Sequence, residues 1–191
     1  MPTPNQAALD FLLTRRSRPA KSLTGPVPDR ETLTMLLTAA ARTPDHGKLE
    51  PWRFIVLSKA ALTRIAGLVP AHGARLGLNE ATIAKAVNQF DTADLVVAVI
   101  AAPKESSIPR IEQIYSAGAV CLALVNAALA AGWGANWLSG WASHDAEFVA
   151  EALGLGAEES VAGFIHLGTE TAAPHERPRP KLDAITSWVD A

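Results

Sequence analysis

Residues 43–54 read TPDHGKLEPWRF and separate a helix-like run from a strand-like run. Two prolines and a glycine within twelve residues prevent a helix from continuing through this segment. The same segment carries His46, Trp52 and Arg53, whose side chains bring hydrogen-bond donors and an aromatic face. The pattern predicts a rigid, donor-rich loop, and we expect a ligand to bind there.

The runs on either side of this loop predict its neighbours. Leu33, Leu36 and Ala40 recur at spacings of three and four, which indicates a helix that ends at Pro44. The short apolar run over residues 54–57 indicates a buried strand. The same criteria predict further helices over residues 7–13, 59–68, 80–90, 109–131 and 146–153, and strands over residues 95–102, 135–138 and 161–167. Prolines after residue 171 predict an extended tail.

The order of these elements indicates the fold class. Two helices lie between the strands at residues 54–57 and 95–102, so a simple doubly wound α/β order does not fit. We therefore predict a single α+β domain over residues 1–191. It has a central mixed sheet flanked by helices, with the long helix 109–131 packed on the sheet.

Composition narrows the functional class. Apolar residues make up 49% of the chain and charged residues 19%, which is typical of a globular protein. A net charge of −2 gives no electrostatic reason to expect nucleic acid or an anionic membrane as a partner. The single cysteine, Cys121, excludes an internal disulfide and favours a reducing, cytoplasmic location. Residues 117–135 are long enough to span a membrane, but we interpret this alanine-rich run as a core helix.

A basic cluster near the beginning of the chain has the chemistry of an anion site. It consists of Arg15, Arg16, Ser17, Arg18 and Lys21. Forked guanidinium donors and a hydroxyl suit a phosphate group. A solvated helix end has the same composition, so both interpretations stay open.

His46 and the tryptophans are the other candidates. His46 is either a ligand-binding group or a loop hydrogen bonder. No metal-ligand, nucleophile or nucleotide-binding motif accompanies it, so we expect no metal. Trp133, Trp137 and Trp141 recur every four residues and form either core packing, an aromatic site or a subunit interface.

Taken in order, four segments resemble the nitroreductase family. They are RRSR at residues 15–18, PDH with PWRF at residues 44–46 and 51–54, GWGANW at residues 132–137, and Gly168 followed later by Arg179-Pro180. The resemblance is to the small, single-domain members and covers nearly the whole chain. It implies an intertwined α+β homodimer that binds FMN at the subunit interface.

The resemblance also implies which residues contact the cofactor. Arg15, Arg16 and Ser17 match the segment on the phosphate, ribityl chain and ring edge. Arg42 and His46 match loop positions that reach the flavin of the other chain. The remaining matches are Ala127, Trp137, Leu138 and Ser139 beside the ring and Arg179 near the phosphate. Two positions depart from the family pattern: Glu50 stands where Gln is usual, and Leu138 stands where close relatives carry Arg.

The activity implied is that of an FMN-dependent NAD(P)H oxidoreductase. Hydride passes through flavin N5 in a ping-pong reaction to a small aromatic acceptor such as a nitroaromatic or a quinone, and no side chain is assigned a catalytic role. A flavin-binding, flavin-storing or flavin-modifying protein of the same fold is the alternative, and an unrelated helical interaction protein is a third. We also expect Trp188 to dock on the body of the protein or on a partner subunit.

Overall fold

The computed structural model describes residues 3–189 and contains a sheet covered by helices on both faces. The helices are α1 Gln6–Thr14, α2 Arg30–Ala40, α3 Lys59–Arg75, α4 Glu80–Asp91, α5 Arg110–Ala130, α6 Trp141–His144 and α7 Ala146–Leu153. The strands are β1 Leu23–Thr24, β2 Trp52–Ser58, β3 Leu95–Ala101, β4 Gly134–Leu138 and β5 Ser160–Glu170. The predicted α+β class is confirmed.

The sheet is built around the long strand β5. One edge of β5 pairs with β3, which pairs in turn with β2, the other edge pairs with β4, and the last residues of β5 pair with β1. Each of these pairings is antiparallel, so the predicted mixed sheet is wrong in this respect. The connections explain why. Helices α3 and α4, joined by a short loop, return the chain to the end of the sheet at which β2 finishes, so β3 runs antiparallel to β2. The single helix α5 carries the chain back to the end at which β3 begins, so β4 is parallel to β3. The two do not pair, because β5 lies between them and is antiparallel to both.

Strand β3 lies at the centre of the protein, and all seven of its residues are buried. Alternate side chains enter different cores, as strand geometry requires. Val96, Ala98 and Ile100 join the core beneath α3, α4 and α7. Val97 and Val99 join the core beneath α2 and α5. Burial on both faces accounts for the continuous apolar run in the sequence.

Helix α5 packs one side on the sheet, as predicted. Val120, Cys121 and Leu124 are fully buried there. Burial raises the pKa of the Cys121 thiol to about 12, so this cysteine is a small apolar core residue. Length and composition alone would also allow α5 to cross a membrane. Its other side is apolar and exposed, with Ile111 and Tyr115 on the surface.

Two other expectations differ from the structure. The helix predicted over residues 59–68 continues to Arg75, and Gly73 in this added part lets α3 approach α4 closely. A Cβ added at Gly73 would lie 2.6 Å from Cγ1 of Ile83. Trp188 is 85% exposed and does not dock on the body of its own chain, so that part of the prediction is wrong. Its docking on a partner subunit stays a prediction.

Candidate functional site

The arginine-rich segment after α1 is fixed in place by β4. Helix α1 is closed by a hydrogen bond from the Arg15 amide to the Phe11 carbonyl. The amide of Arg18 donates to the carbonyl of Ala135 over 2.8 Å, and the side-chain amide of Asn136 donates to the Arg18 carbonyl. These bonds place the basic side chains beside the end of β4 at which α5 arrives.

A cleft of about 430 Å³ opens at this place. It lies between the end of α1, the last turn of α5 and the C-terminal tail. The lining residues are Phe11, Thr14, Arg15, Arg16, Arg18, Leu129, Gly132, Trp133, Gly134, Glu170, Pro174 and Glu176. Aromatic and aliphatic groups form part of the wall, and three arginines supply positive charge.

The charges of four arginines converge on this cleft. Burial lowers the pKa of Arg15, and the neighbouring charges of Arg179, Arg16 and Arg18 lower it further. Nη2 of Arg15 donates to the hydroxyl of Ser17 over 3.0 Å. Nε of Arg15 is shielded from solvent and has no hydrogen-bond partner within residues 3–189. An unsatisfied cationic donor in a positive cleft is the environment that an anion with several oxygens stabilises.

Two carboxylates offset part of this charge. Glu170 lies 3.3 Å from Nε of Arg18. Glu176 lies 3.5 Å from Nη1 of Arg16 and 3.0 Å from Nη2 of Arg179. Four arginines against two carboxylates leave an excess of positive charge, which attracts an anion such as a phosphate monoester.

The loop at residues 43–54 forms a second group of candidate residues. Nδ1 of His46 lies 2.7 Å from Oε2 of Glu112, at the start of α5. Lys48 and Glu50 both have positive φ, at 55° and 48°, a conformation that costs energy for residues other than glycine. The side chain of Asp45 stabilises the loop by accepting from the Leu49 amide over 2.6 Å. The predicted loop is therefore present, with His46 on its surface, and its rigidity stays a prediction.

Helix α5 separates this loop from the arginine cleft. Glu112 is in the first turn of α5 and Leu129 is in the last, about 25 Å away at a rise of about 1.5 Å per residue. Arg42 is exposed just after α2, on the chain leading into the same loop. A single ligand therefore cannot contact both Arg15 and His46 of one chain unless it spans this distance.

The third group lies at the far end of β4. The Trp137 indole covers Gly163 of β5, and its Nε1 donates to the Ala162 carbonyl over 3.2 Å. Leu138 and Ser139 line another cavity of about 430 Å³, whose wall includes Lys21 and Lys85. This end of β4 is about 13 Å from Gly134 at about 3.3 Å per residue.

The remaining predicted site residues have different surroundings. Ala127 is half-buried on α5 and packs against the core beneath that helix. Arg179 is in the exposed tail and reaches the cleft through Glu176. Arg53, which stands in the donor-rich loop sequence, instead makes a two-point ion pair with Glu159, at 2.6 and 2.8 Å. That pairing lowers the pKa of the Glu159 carboxyl to about 2.

The sequence reasoning did not find the two acidic residues of the cleft. Glu170 reaches Arg18 because β5 runs past β4 to pair with Leu23 of β1. Glu176 reaches Arg16 because the tail turns back toward α1. Both contacts join residues more than 150 positions apart, and no local pattern indicates them. The only available signal was the mixture of acidic and basic residues in the tail.

An arginine-rich cleft beside an antiparallel sheet is the main feature of this α+β fold. A family model described as the Nitroreductase family matches residues 12–169. The chain is 35% identical over 181 residues to the Escherichia coli (strain K12) protein named "Putative NAD(P)H nitroreductase YdjA", which covers 94% of this chain and 92% of that protein. The chain therefore belongs to the nitroreductase family.

Solved structures confirm the fold. A nitroreductase-like family protein from Bacillus cereus superposes with a TM-score of 0.79 at 21% identity, covering all of both chains. A variant of the FMN and NADPH-dependent nitroreductase NfnB from Sphigopyxis sp. strain HMH gives a TM-score of 0.73 at 20% identity. It covers 96% of this chain and 99% of that one. At these identities the likeness establishes the fold alone.

Proposed function

We propose that this protein is an FMN-dependent NAD(P)H oxidoreductase that reduces nitroaromatic or quinone-like acceptors in a ping-pong reaction. Membership of the nitroreductase family supports the reaction class. The name of the Escherichia coli relative supports NAD(P)H as electron donor, and NfnB, which shares the fold, is described as dependent on FMN and NADPH. We expect the reaction to take place in the cytoplasm.

The observation that carries this proposal is the arginine cleft. The orphaned Nε of Arg15 and the excess of positive charge fit the phosphate of FMN. In this role Arg15 and Arg16 donate charge-assisted hydrogen bonds to phosphate oxygens. Ser17 adds a neutral hydroxyl and Arg179 adds charge from the tail. The phosphate thereby gives a partner to arginine donors that have none within residues 3–189.

The residues further along the chain orient the ring system. We assign Ala127, Trp137, Leu138 and Ser139 to contacts with the isoalloxazine ring. Bound FMN supplies the hydride-transferring centre. The protein contributes phosphate anchoring, ring orientation and exclusion of water from the reacting face. Within residues 3–189 no group of side chains is arranged to hold a metal ion, and the proposed reaction does not call for one.

The proposal includes a homodimer in which each FMN site uses two chains. The separation of about 25 Å along α5 prevents His46 from reaching the arginine cleft of its own chain. A second copy would bring its Arg42 and His46 to the flavin. The exposed apolar side of α5 and the exposed tail residues Ile185 and Trp188 supply surface that a second copy would cover.

The test begins with the spectrum of the purified protein. We expect the chain to copurify with FMN or to bind added FMN. Steady-state NADH and NADPH oxidation is then measured with nitroaromatic and quinone acceptors. A colourless protein that takes up no FMN would refute the proposal. Tight FMN binding without turnover of any acceptor would instead identify a flavin-binding or flavin-storing protein.

A further inference from the structure

The C-terminal tail is joined to the rest of the protein by polar contacts at two places beyond β5. The amide and hydroxyl of Thr171 both donate to the Ser22 carbonyl, at 2.9 and 3.0 Å. After that point, within residues 3–189, the contact between Glu176 and Arg16 is the one ion pair or hydrogen bond that links the tail to the body. This contact lies in the arginine cleft, where Pro174 and Glu176 form part of the wall.

A single carboxylate oxygen of Glu176 lies near two arginine charges, although Nη1 of Arg16 has no hydrogen-bond partner within residues 3–189. Oε1 lies 3.5 Å from Nη1 of Arg16 and 3.0 Å from Nη2 of Arg179. The backbone amide of Arg177 also donates to it, over 2.9 Å. That amide hydrogen bond, followed by the two arginine charges, lowers the pKa of Glu176, so the carboxylate is ionised at neutral pH. An anion therefore already contacts two of the four cleft arginines.

We propose that Glu176 is a resident counter-anion that occupies part of the phosphate subsite in the flavin-free protein and is displaced when a phosphate-bearing ligand binds. The proposal deepens the proposed function, on which the identification of the ligand as FMN depends. Glu176 and a phosphate would draw on the same Nη groups of Arg16 and Arg179, and their like charges repel each other. Binding therefore includes an exchange of one anion for another.

Only a ligand that carries a phosphate can drive this exchange. A phosphate offers three terminal oxygens and about two charges, whereas the carboxylate brings one charge. It also reaches the unsatisfied Nε of Arg15, which Glu176 does not contact. Riboflavin lacks the phosphate and leaves Glu176 in place. The tail carboxylate therefore weakens FMN binding but not riboflavin binding, and so reduces the preference for FMN.

Removing the charge of Glu176 tests the idea. In Glu176→Gln, FMN and inorganic phosphate should bind about fivefold more tightly, because two exposed ion pairs no longer have to be broken. Riboflavin affinity should not change. Glu158→Gln is the matched control, since it removes the carboxylate of another exposed arginine pair, with Arg110, away from the cleft.

Two measurements separate the outcomes. Quenching of flavin fluorescence gives FMN and riboflavin affinities, and thermal unfolding of the flavin-free protein against inorganic phosphate gives phosphate affinity without any flavin. Unchanged or weaker binding of both FMN and phosphate by Glu176→Gln would overturn the proposal and indicate that Glu176 positions the arginines. If no variant binds FMN, the proposed function fails, and the phosphate titration alone decides the role of Glu176.

Discussion

Substitution of Arg15 should weaken FMN binding without destabilising the flavin-free protein. Arg15 makes one side-chain hydrogen bond, to Ser17, and keeps Nε shielded and unpaired. Burial and three neighbouring arginine charges disfavour its protonated form. In the absence of a ligand, Arg15→Gln therefore removes repulsion from the neighbouring arginines and loses only the hydrogen bond to Ser17. The melting temperature of the flavin-free variant should equal or exceed that of the wild type.

The loss in FMN affinity follows from the donors that Arg15 offers. A net charge-assisted hydrogen bond contributes roughly 1.5–3 kcal/mol. Loss of one such bond, at about 2 kcal/mol, corresponds to about thirtyfold weaker binding. The effect depends on the phosphate, so riboflavin affinity should change much less than FMN affinity.

Fluorescence titration of both flavins and thermal unfolding of the flavin-free protein measure these quantities together. Arg110→Gln is the control, because Arg110 is an exposed arginine paired with Glu158 outside the cleft. An Arg15→Gln variant that binds FMN as the wild type does would refute the assignment of Arg15 to the phosphate. A large loss of flavin-free stability would show that Arg15 is a structural residue.

Three further predictions concern β5 and the tail. Gly163→Ala should lower the free energy of unfolding in urea by about 1–3 kcal/mol, because the new Cβ would clash with the Trp137 indole. A variant as stable as the wild type would show that the indole ring moves aside without cost. Burial lowers the pKa of His166 from 6.5 to about 4, so stability is full above pH 6.5 and falls by about 3 kcal/mol as pH drops to 4. Urea unfolding of His166→Gln should lack this pH-dependent loss, and an unchanged slope would contradict the assignment. Truncation after Ala172 keeps the β1–β5 pairing but removes Glu176, Arg179 and the exposed apolar residues of the tail. Sedimentation of the truncated protein should therefore show a weaker dimer. An unaffected dimer would exclude a role for the tail in assembly.

Elements with a strong local signal could be predicted from the sequence. Strand β3 is buried on both faces and α5 has one face built from small apolar residues, so composition alone indicated both. Whether neighbouring strands pair parallel or antiparallel depends on how many helices connect them. It also depends on whether a third strand, here β5, lies between two strands that are consecutive in sequence. The close approach of α3 to α4 at Gly73 and Ile83 is a tertiary contact, which no local rule contains.

The same distinction applies to the candidate site. Arg15, Arg16 and Ser17 are adjacent in sequence, so their convergence was predictable. Their roles toward FMN, and those of the other site residues, stay predictions. Glu170 and Glu176 enter the cleft through long-range pairing and the path of the tail, which the sequence pattern does not show. The separation of His46 from Arg15 depends on the position of α5 between them, which the sequence pattern does not show.

Sedimentation of the flavin-loaded protein, followed by visible flavin absorbance, tests the proposed shared site most directly. The chain has a mass of 20.1 kDa. We predict that the flavin colour sediments at the mass of two chains, with one FMN per chain, and that dilution to monomers releases the flavin. Monomers that retain a full complement of FMN, or dimers that carry none, would contradict a site built from two copies of this chain.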